Sequence, residues 1–264
     1  MKLLAFVSTL AIVMGWFTNP EKVAIAWTEN ENEVKVTFWT ILPVNAYFYV
    51  AYRPILCVEE DQPFTYVKAD THEKTVGYIL DMPRSEWRYT ARIPNLRPEC
   101  SYEYKVGTTD NWSETFLFAG LTPDYNEPYE QQNLETSVLI YGDWGIGPQG
   151  ERTSLLLDKM AELRSFDAVL HIGDIGYDME DFFGITGDIM QNIMQPIAAN
   201  FPYMTIPGNH ENYMNQTIYQ YRFNMPEYDV NEHNDAFYSF NFGSAHYILF
   251  NTEPYLNFDD EGAR

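Results

Sequence analysis

Residues 142–147 read GDWGIG, residues 171–178 read HIGDIGYD, and residues 207–212 read PGNHEN. Each closes a short apolar run: SVLIY, DAVL and PYMTI. Continuous apolar runs of this length, stopped by glycine, mark buried strands of a parallel sheet. The intervening stretches have helical character. ERTSLLLDKMAELRS carries apolar residues at helical spacing (Leu156, Met160, Leu163), and MEDFFGITGDIMQNIMQPIAANF reads as helix with a loop near Gly184 and a break near Pro196. Strand alternating with helix predicts parallel strands joined by crossovers, the opening half of an α/β (βαβαβ) domain.

Open α/β sheets bind ligands beyond the carboxyl ends of their strands. Asp143, Asp174 and Asn209 each stand at such an end. The glycine before each (Gly142, Gly173, Gly208) permits a tight turn and close backbone approach. Two carboxylates and an amide oxygen converging there suit a hard or borderline cation, which also removes the cost of juxtaposed negative charge.

Outward from this core, TIYQYRFN reads as helix, and AFYSFNFGS with AHYILFNTE reads as a hairpin turning at Gly243. Towards the N-terminus the character changes. Residues 19–122 hold seven or so short alternating runs, among them KVAIAWT, EVKVTFWT and SYEYKVGT, as expected of an all-β immunoglobulin- or fibronectin-like sandwich. No titratable cluster stands out there, so its expected role is structural. Residues 123–136 are polar, proline-bearing and aperiodic, and read as a linker.

Residues 1–15 read as a signal peptide: Lys2 precedes an apolar stretch too short to span a membrane comfortably. This predicts a secreted or a lysosomal/vacuolar protein, with no stable membrane insertion once the signal is removed. Export permits disulfides, and the only two cysteines, Cys57 and Cys100, form either one bridge or two buried thiols. NWS at Asn111 and NQT at Asn215 are glycosylation candidates. The formal charge is −22, which argues against nucleic acid as a partner.

The three glycine-bounded blocks resemble those of the purple acid phosphatases, within the calcineurin-like metallophosphoesterases. GDWG is similar to the family's GDxG, GDIGY to its GDxxY, and GNHE to its GNH(D/E). IPNLRPECSYEYKVGTTDNWSETFLF resembles the family's fibronectin III-like N-terminal domain. Most metallophosphoesterases carry Asp-x-His in the first block; here that position is Gly145. Purple acid phosphatases use a tyrosinate instead, and Tyr177 stands at the matching offset from Asp174.

The resemblance implies specific roles. Asp143 and Tyr177 would hold Fe(III), Asp174 would bridge two ions, and Asn209 would hold a divalent ion (Fe, Zn or Mn). His210 would face the substrate phosphate, with Glu211 and His171 behind the ligands. The implied activity is hydrolysis of small phosphate monoesters by metal-activated hydroxide. Three further family histidines have no match, so the divalent site keeps two of four ligands and the 264-residue chain is expected to turn over weakly. Residues 137–264 would be the metallophosphoesterase domain without its C-terminal half, as expected of an N-terminal fragment. Two alternatives remain: a catalytically incomplete pseudo-enzyme or binding module, favoured by the unmatched histidines, and a metallophosphodiesterase, disfavoured by Gly145 and Tyr177. Oligomeric state is not legible.

Overall fold

The computed structural model describes residues 18–30, 32–55, 57, 62–79, 82–97, 100–120, 136–226 and 237–256. The signal-peptide segment, nearly all of the linker and His233 lie outside the described residues.

The N-terminal half is built from two four-stranded antiparallel sheets. One has the order β1(Glu21–Trp27), β2(Val34–Thr40), β6(Met82–Ile93), β5(Asp70–Ile79). The other has β4(Thr65–Lys68), β3(Tyr49–Ile55), β7(Ser101–Gly107), β8(Phe116–Ala119). Strand alternation explains their packing. Val34, Val36 and Phe38 of β2 share one buried core with Tyr102, Tyr104 and Val106 of β7. The alternate residues of β2, Lys35, Thr37 and Trp39, are also buried, because that face lies against the C-terminal half. Cys57 and Cys100 are joined in a disulfide.

The C-terminal half begins with β9(Val138–Tyr141), β10(Ala168–Ile172) and β11(Tyr203–Ile206), paired in parallel in the order β11-β10-β9. Helix α1(Pro148–Glu162) follows β9, and α2(Ile185–Ala198) follows β10. α1 departs from its expected stripe. Leu157 is buried and Met160 is half-buried, but Leu156 and Leu163 are more than half exposed. Pro196 does not break α2 either: it lies in the last turn, where only one helical hydrogen bond is lost, and the helix runs on to Ala198. Helix α3(Thr217–Arg222) comes next. Strands β12(Tyr238–Phe242) and β13(Ala245–Leu249) then form a hairpin that turns at Gly243, and α4(Glu253–Leu256) ends the described residues. Ile248 of β13 and the following Phe250 are mostly exposed.

Charges lock the two halves together. Lys22 Nζ lies 3.1 Å from Glu86 and 2.8 Å from Asp188 of α2, and Arg222 Nη1 lies 2.9 Å from Asp188. Arg84 pairs with both Glu86 and Asp188. Lys22, Glu86 and Arg222 have fully buried side chains. Gly187 makes room: a β-carbon there would stand 2.5 Å from Arg222 Nε. Three neutral hydrogen bonds reinforce the junction: Val23 N to Gln195 Oε1, Tyr104 Oη to the Ala199 carbonyl, and Leu117 N to Asn200 Oδ1. Lys35 Nζ, buried without a carboxylate partner among the described residues, donates to the Asn224 and Met225 carbonyls and to Asn224 Oδ1.

Candidate metal centre

The first two loops beyond the parallel strands stay paired after the strands end. The amides of Asp143, Trp144 and Gly145 donate in turn to the carbonyls of Gly173, Asp174 and Ile175. Glycine makes the close packing feasible. A β-carbon on Gly173 would stand 2.8 Å from the Gly208 backbone, and one on Gly208 would stand 2.3 Å from Asp174 Oδ1. Asp143, Asp174, Tyr177 and Asp178 all have positive φ, a conformation that ordinary side chains adopt only when their surroundings hold them in it.

What holds them is a connected set of contacts. Tyr177 Oη donates to Asp143 Oδ1 at 2.9 Å. The Tyr177 and His210 rings lie 4.5 Å apart, centroid to centroid. The His210 amide donates to Asp174 Oδ1 at 3.2 Å, and His210 Nδ1 lies 2.9 Å from Asp178 Oδ1. The bond to Asp178 raises the His210 pKa above that of a free imidazole. Desolvation and the hydrogen bond to Asp143 push the Tyr177 phenol up to about 12. Asp143, Tyr177 and Asn209 face solvent, while Asp174 and His210 are half-buried.

Glu211 is the anchor. It sits in a 3-10 turn, Asn209–Glu211, and is 3% exposed. Its carboxylate accepts the amides of Asp174, Ile175 and Gly208, each at 2.9 Å. One side chain thereby ties the second loop to the third. Burial pushes its carboxyl pKa up, and these three donors pull it back.

The expected residues therefore fall as follows. Asp143, Asp174, Tyr177 and His210 are joined by direct contacts, and Asn209 lies in the same turn as His210. Glu211 contacts backbone, not the His210 ring. His171 is fully buried under the site; its Nδ1 meets Tyr203 Oη at 2.8 Å, its Nε2 has no hydrogen-bond partner among the described residues, and burial lowers its pKa to about 3. It is therefore only half satisfied. Trp144 is packing: its Nε1 donates to the Gly150 carbonyl and to Ser154 at the start of α1. Asn111 and Asn215 are exposed, His246 is exposed, and His72 is half-buried. Asp178 escaped the sequence reading, although it directly follows Tyr177. Its signal is a second carboxylate, four residues after Asp174 on the same loop.

Two carboxylates, a phenol and an amide form a donor set that fits hard, highly charged cations. The Tyr177–Asp143 hydrogen bond places phenol and carboxylate oxygens together, as two ligands of one ion require. Among the described residues, no three His, Cys, Asp or Glu side chains group as a metal site.

Both halves of the chain are similar to known proteins. Residues 20–119 match the profile of the purple acid phosphatase N-terminal domain, and residues 136–261 match that of the calcineurin-like phosphoesterases. Acid phosphatase type 7 of Danio rerio is 36% identical over 170 residues, covering 64% of this chain and 35% of the relative. The Homo sapiens protein of the same name is 29% identical over 238 residues, covering 90% and 50%. An Arabidopsis thaliana relative at 31% over 140 residues, covering 47% and 21%, is named probable inactive purple acid phosphatase 27. The chain thus spans half or less of the length of these relatives. In fold it is similar to the purple acid phosphatase PPD1 of yellow lupin (Lupinus luteus) seeds, with TM-score 0.68 and 21% identity, covering 88% of this chain and 44% of that one.

Proposed function

Because the chain belongs to the purple acid phosphatase family of calcineurin-like phosphoesterases, we propose that it acts as an acid phosphatase on phosphate monoesters, at a dinuclear site of Fe(III) and a divalent ion (iron, zinc or manganese). The observation that carries this reading is Tyr177 Oη on Asp143 Oδ1, with Gly145 beneath the ring. When bound, such an ion pair supplies a nucleophile at mild pH and neutralises charge on the phosphoryl oxygens.

The chain's own residues do the rest. Asp143 and Tyr177 would hold the ferric ion and Asn209 the divalent one, with Asp174 as a ligand shared by both. With its pKa near 12, the phenol loses its proton only against a strongly charged ion, which favours the ferric state. Asp178 holds His210 Nδ1 and leaves Nε2 free for substrate. The raised His210 pKa keeps the ring protonated at acid pH, so it donates a proton to the departing alkoxide.

The two antiparallel sheets of the N-terminal half are read as a fibronectin-like sandwich. Export to a secreted or lysosomal/vacuolar location is supported by Lys2 with its apolar run, by the Cys57–Cys100 disulfide and by the exposed sequons at Asn111 and Asn215.

The test is titration of the chain with Fe(III) and Zn(II), followed by p-nitrophenyl phosphate hydrolysis at acid pH. A visible tyrosinate-to-iron band is expected, absent in Tyr177→Phe, with slow turnover that Asp174→Asn lowers further. Colour that survives Tyr177→Phe, or turnover indifferent to Asp174→Asn, refutes the assignment. A second reading, a catalytically incomplete binding module, draws on the relative named as inactive. Iron binding without any turnover favours it.

A further inference from the structure

The sequon NQT opens on a cavity. Its acceptor, Asn215, is exposed. Met214 before it and Thr217, which supplies the sequon hydroxyl, both line a cavity of about 500 Å³. Tyr213 lines it too, as does Phe183 of the 3-10 turn Asp181–Gly184. The opposite wall belongs to the N-terminal half, with Glu73 and Val76 of β5. The cavity therefore straddles the two halves of the chain. Its large apolar side chains stand uncovered: Phe183, Tyr213 and Met214 are all about half exposed or more.

The turn that carries Asn215 is held rigidly. Met214, Asn215 and Gln216 run left-handed, with φ of 49°, 56° and 61°. The Asn215 amide donates to the Asn212 carbonyl at 3.1 Å, and Thr217 Oγ1 donates to the Met214 carbonyl at 2.6 Å. The buried Gln216 side chain donates to Asn212 Oδ1 at 3.0 Å and accepts from Asn251 Nδ2 at 2.9 Å. Tyr213 and Asn215 are thus the second and fourth residues of one closed turn. At most about 7 Å of backbone separates them. The ring and the sugar acceptor open beside the same space.

We propose that Asn215 is N-glycosylated and that the first sugars of its glycan occupy this cavity, packed on Tyr213 and Phe183 across the junction of the two halves. The inference goes beyond the phosphatase reading and rests only on export. In the modification, Asn215 Nδ2 displaces the diphosphate of a lipid-diphosphate oligosaccharide from the anomeric carbon; a C–N bond forms, and the nitrogen gives up one proton. The chemistry of the walls suits a sugar. A pyranose ring has an apolar C–H face and a rim of hydroxyls. Tyr213 and Phe183 offer aromatic surface to the face, and Met214 adds a polarisable thioether. Glu73 and Glu180 offer carboxylates that accept from the hydroxyls. The tether keeps the sugar at high local concentration, so modest packing suffices to hold it. Bound there, it covers apolar surface that otherwise faces water.

The test uses the full 264-residue chain made through a eukaryotic secretory pathway. Enzymatic release of N-glycans converts each occupied asparagine to aspartate, and peptide mass spectrometry then reads Asn111 and Asn215 separately. Asn215 should be occupied. Asn215→Asp removes the acceptor and keeps the left-handed backbone accessible. Relative to that variant, the glycosylated protein should melt about 2–4 °C higher. Peroxide should oxidise its Met214 about 2–10-fold more slowly. Tyr213→Ala should leave the glycan attached and shrink the melting difference. An unoccupied Asn215 overturns the proposal. Sugar at Asn111 in the same chain leaves the export reading standing, whereas a chain retained in the cell with neither site occupied overturns that reading too. An occupied Asn215 with unchanged melting and unchanged Met214 oxidation shows a glycan standing in solvent, and overturns the packing. Protection of Met214 in Asn215→Asp that grows with protein concentration gives the cavity to a second copy instead.

Discussion

Gly145 and Tyr177 fit only each other: a β-carbon on Gly145 would lie 2.8 Å from Tyr177 Cδ2 and 3.3 Å from Cε2. The backbone at Gly145 also has φ +68°. A histidine at position 145, as in the Asp-x-His block, collides with the ring. The missing histidine and the present tyrosine are therefore one structural fact.

Gly145→Ala should destabilise the protein by about 1–3 kcal/mol, from the left-handed backbone and the clash together. In a Tyr177→Ala background the clash disappears, and the penalty should shrink to the backbone part, about 1 kcal/mol. Urea midpoints of the four proteins check this. Equal penalties in both backgrounds would show that the ring does not sit on Gly145.

Glu211→Ala leaves three backbone amides without their acceptor. It should cost about 3–5 kcal/mol, and Glu211→Gln about 1–2 kcal/mol, since hydrogen bonds to a charged acceptor are the strong ones. Hydrogen exchange at Asp174, Ile175 and Gly208 should accelerate ahead of the β10 amides. Uniform acceleration would mean that Glu211 supports the whole domain rather than the clamp between two loops.

Arg222→Met leaves Asp188 and Glu86 with Lys22 and Arg84 but removes their third cation, and should cost about 1.5–3 kcal/mol. Burial alone would raise the Asp188 pKa, but Arg222 and Lys22 override it and hold it well below the usual carboxylate range. The folded-state pKa is depressed, so this contribution is present above the ordinary value near 4 and is lost as pH falls towards the folded value. Acid unfolding curves of wild type and variant should converge as pH falls below about 4. A constant gap would place the effect in packing rather than charge.

Lys35 gives a second pH signature, of the same sign but in the alkaline window. Desolvation, aided by Arg92, lowers its pKa to about 7. The folded state carries a buried charge below that value, and the penalty lifts as pH rises from 7 towards 10.5. Stability should climb through that window with a slope approaching ~1.4 kcal/mol per pH unit. Lys35→Met should flatten the climb; a slope that persists assigns it to other groups.

The legible parts of the molecule were those written locally. The β-strand periods of Val34, Val36, Phe38 and of Tyr102, Tyr104, Val106 survive into the structure, as do the glycine-bounded strand ends carrying Asp143, Asp174 and Asn209. Contacts between residues distant in sequence left no trace in any window. Lys22 meets Asp188, the carboxylate that also pairs with Arg222, only because β1 docks on α2, so the N-terminal half read as free of titratable clusters although it holds one. Leu156 and Leu163 have helical spacing, yet they point away from the face that α1 buries with Leu157. Which face of a helix is covered depends on its neighbours.

The junction has a consequence for proteolysis. Its ion pairs and hydrogen bonds join the halves without using the chain between residues 120 and 136. A protease cut in that interval should yield two fragments that still co-elute under native conditions, separate only in denaturant, and melt in a single calorimetric transition.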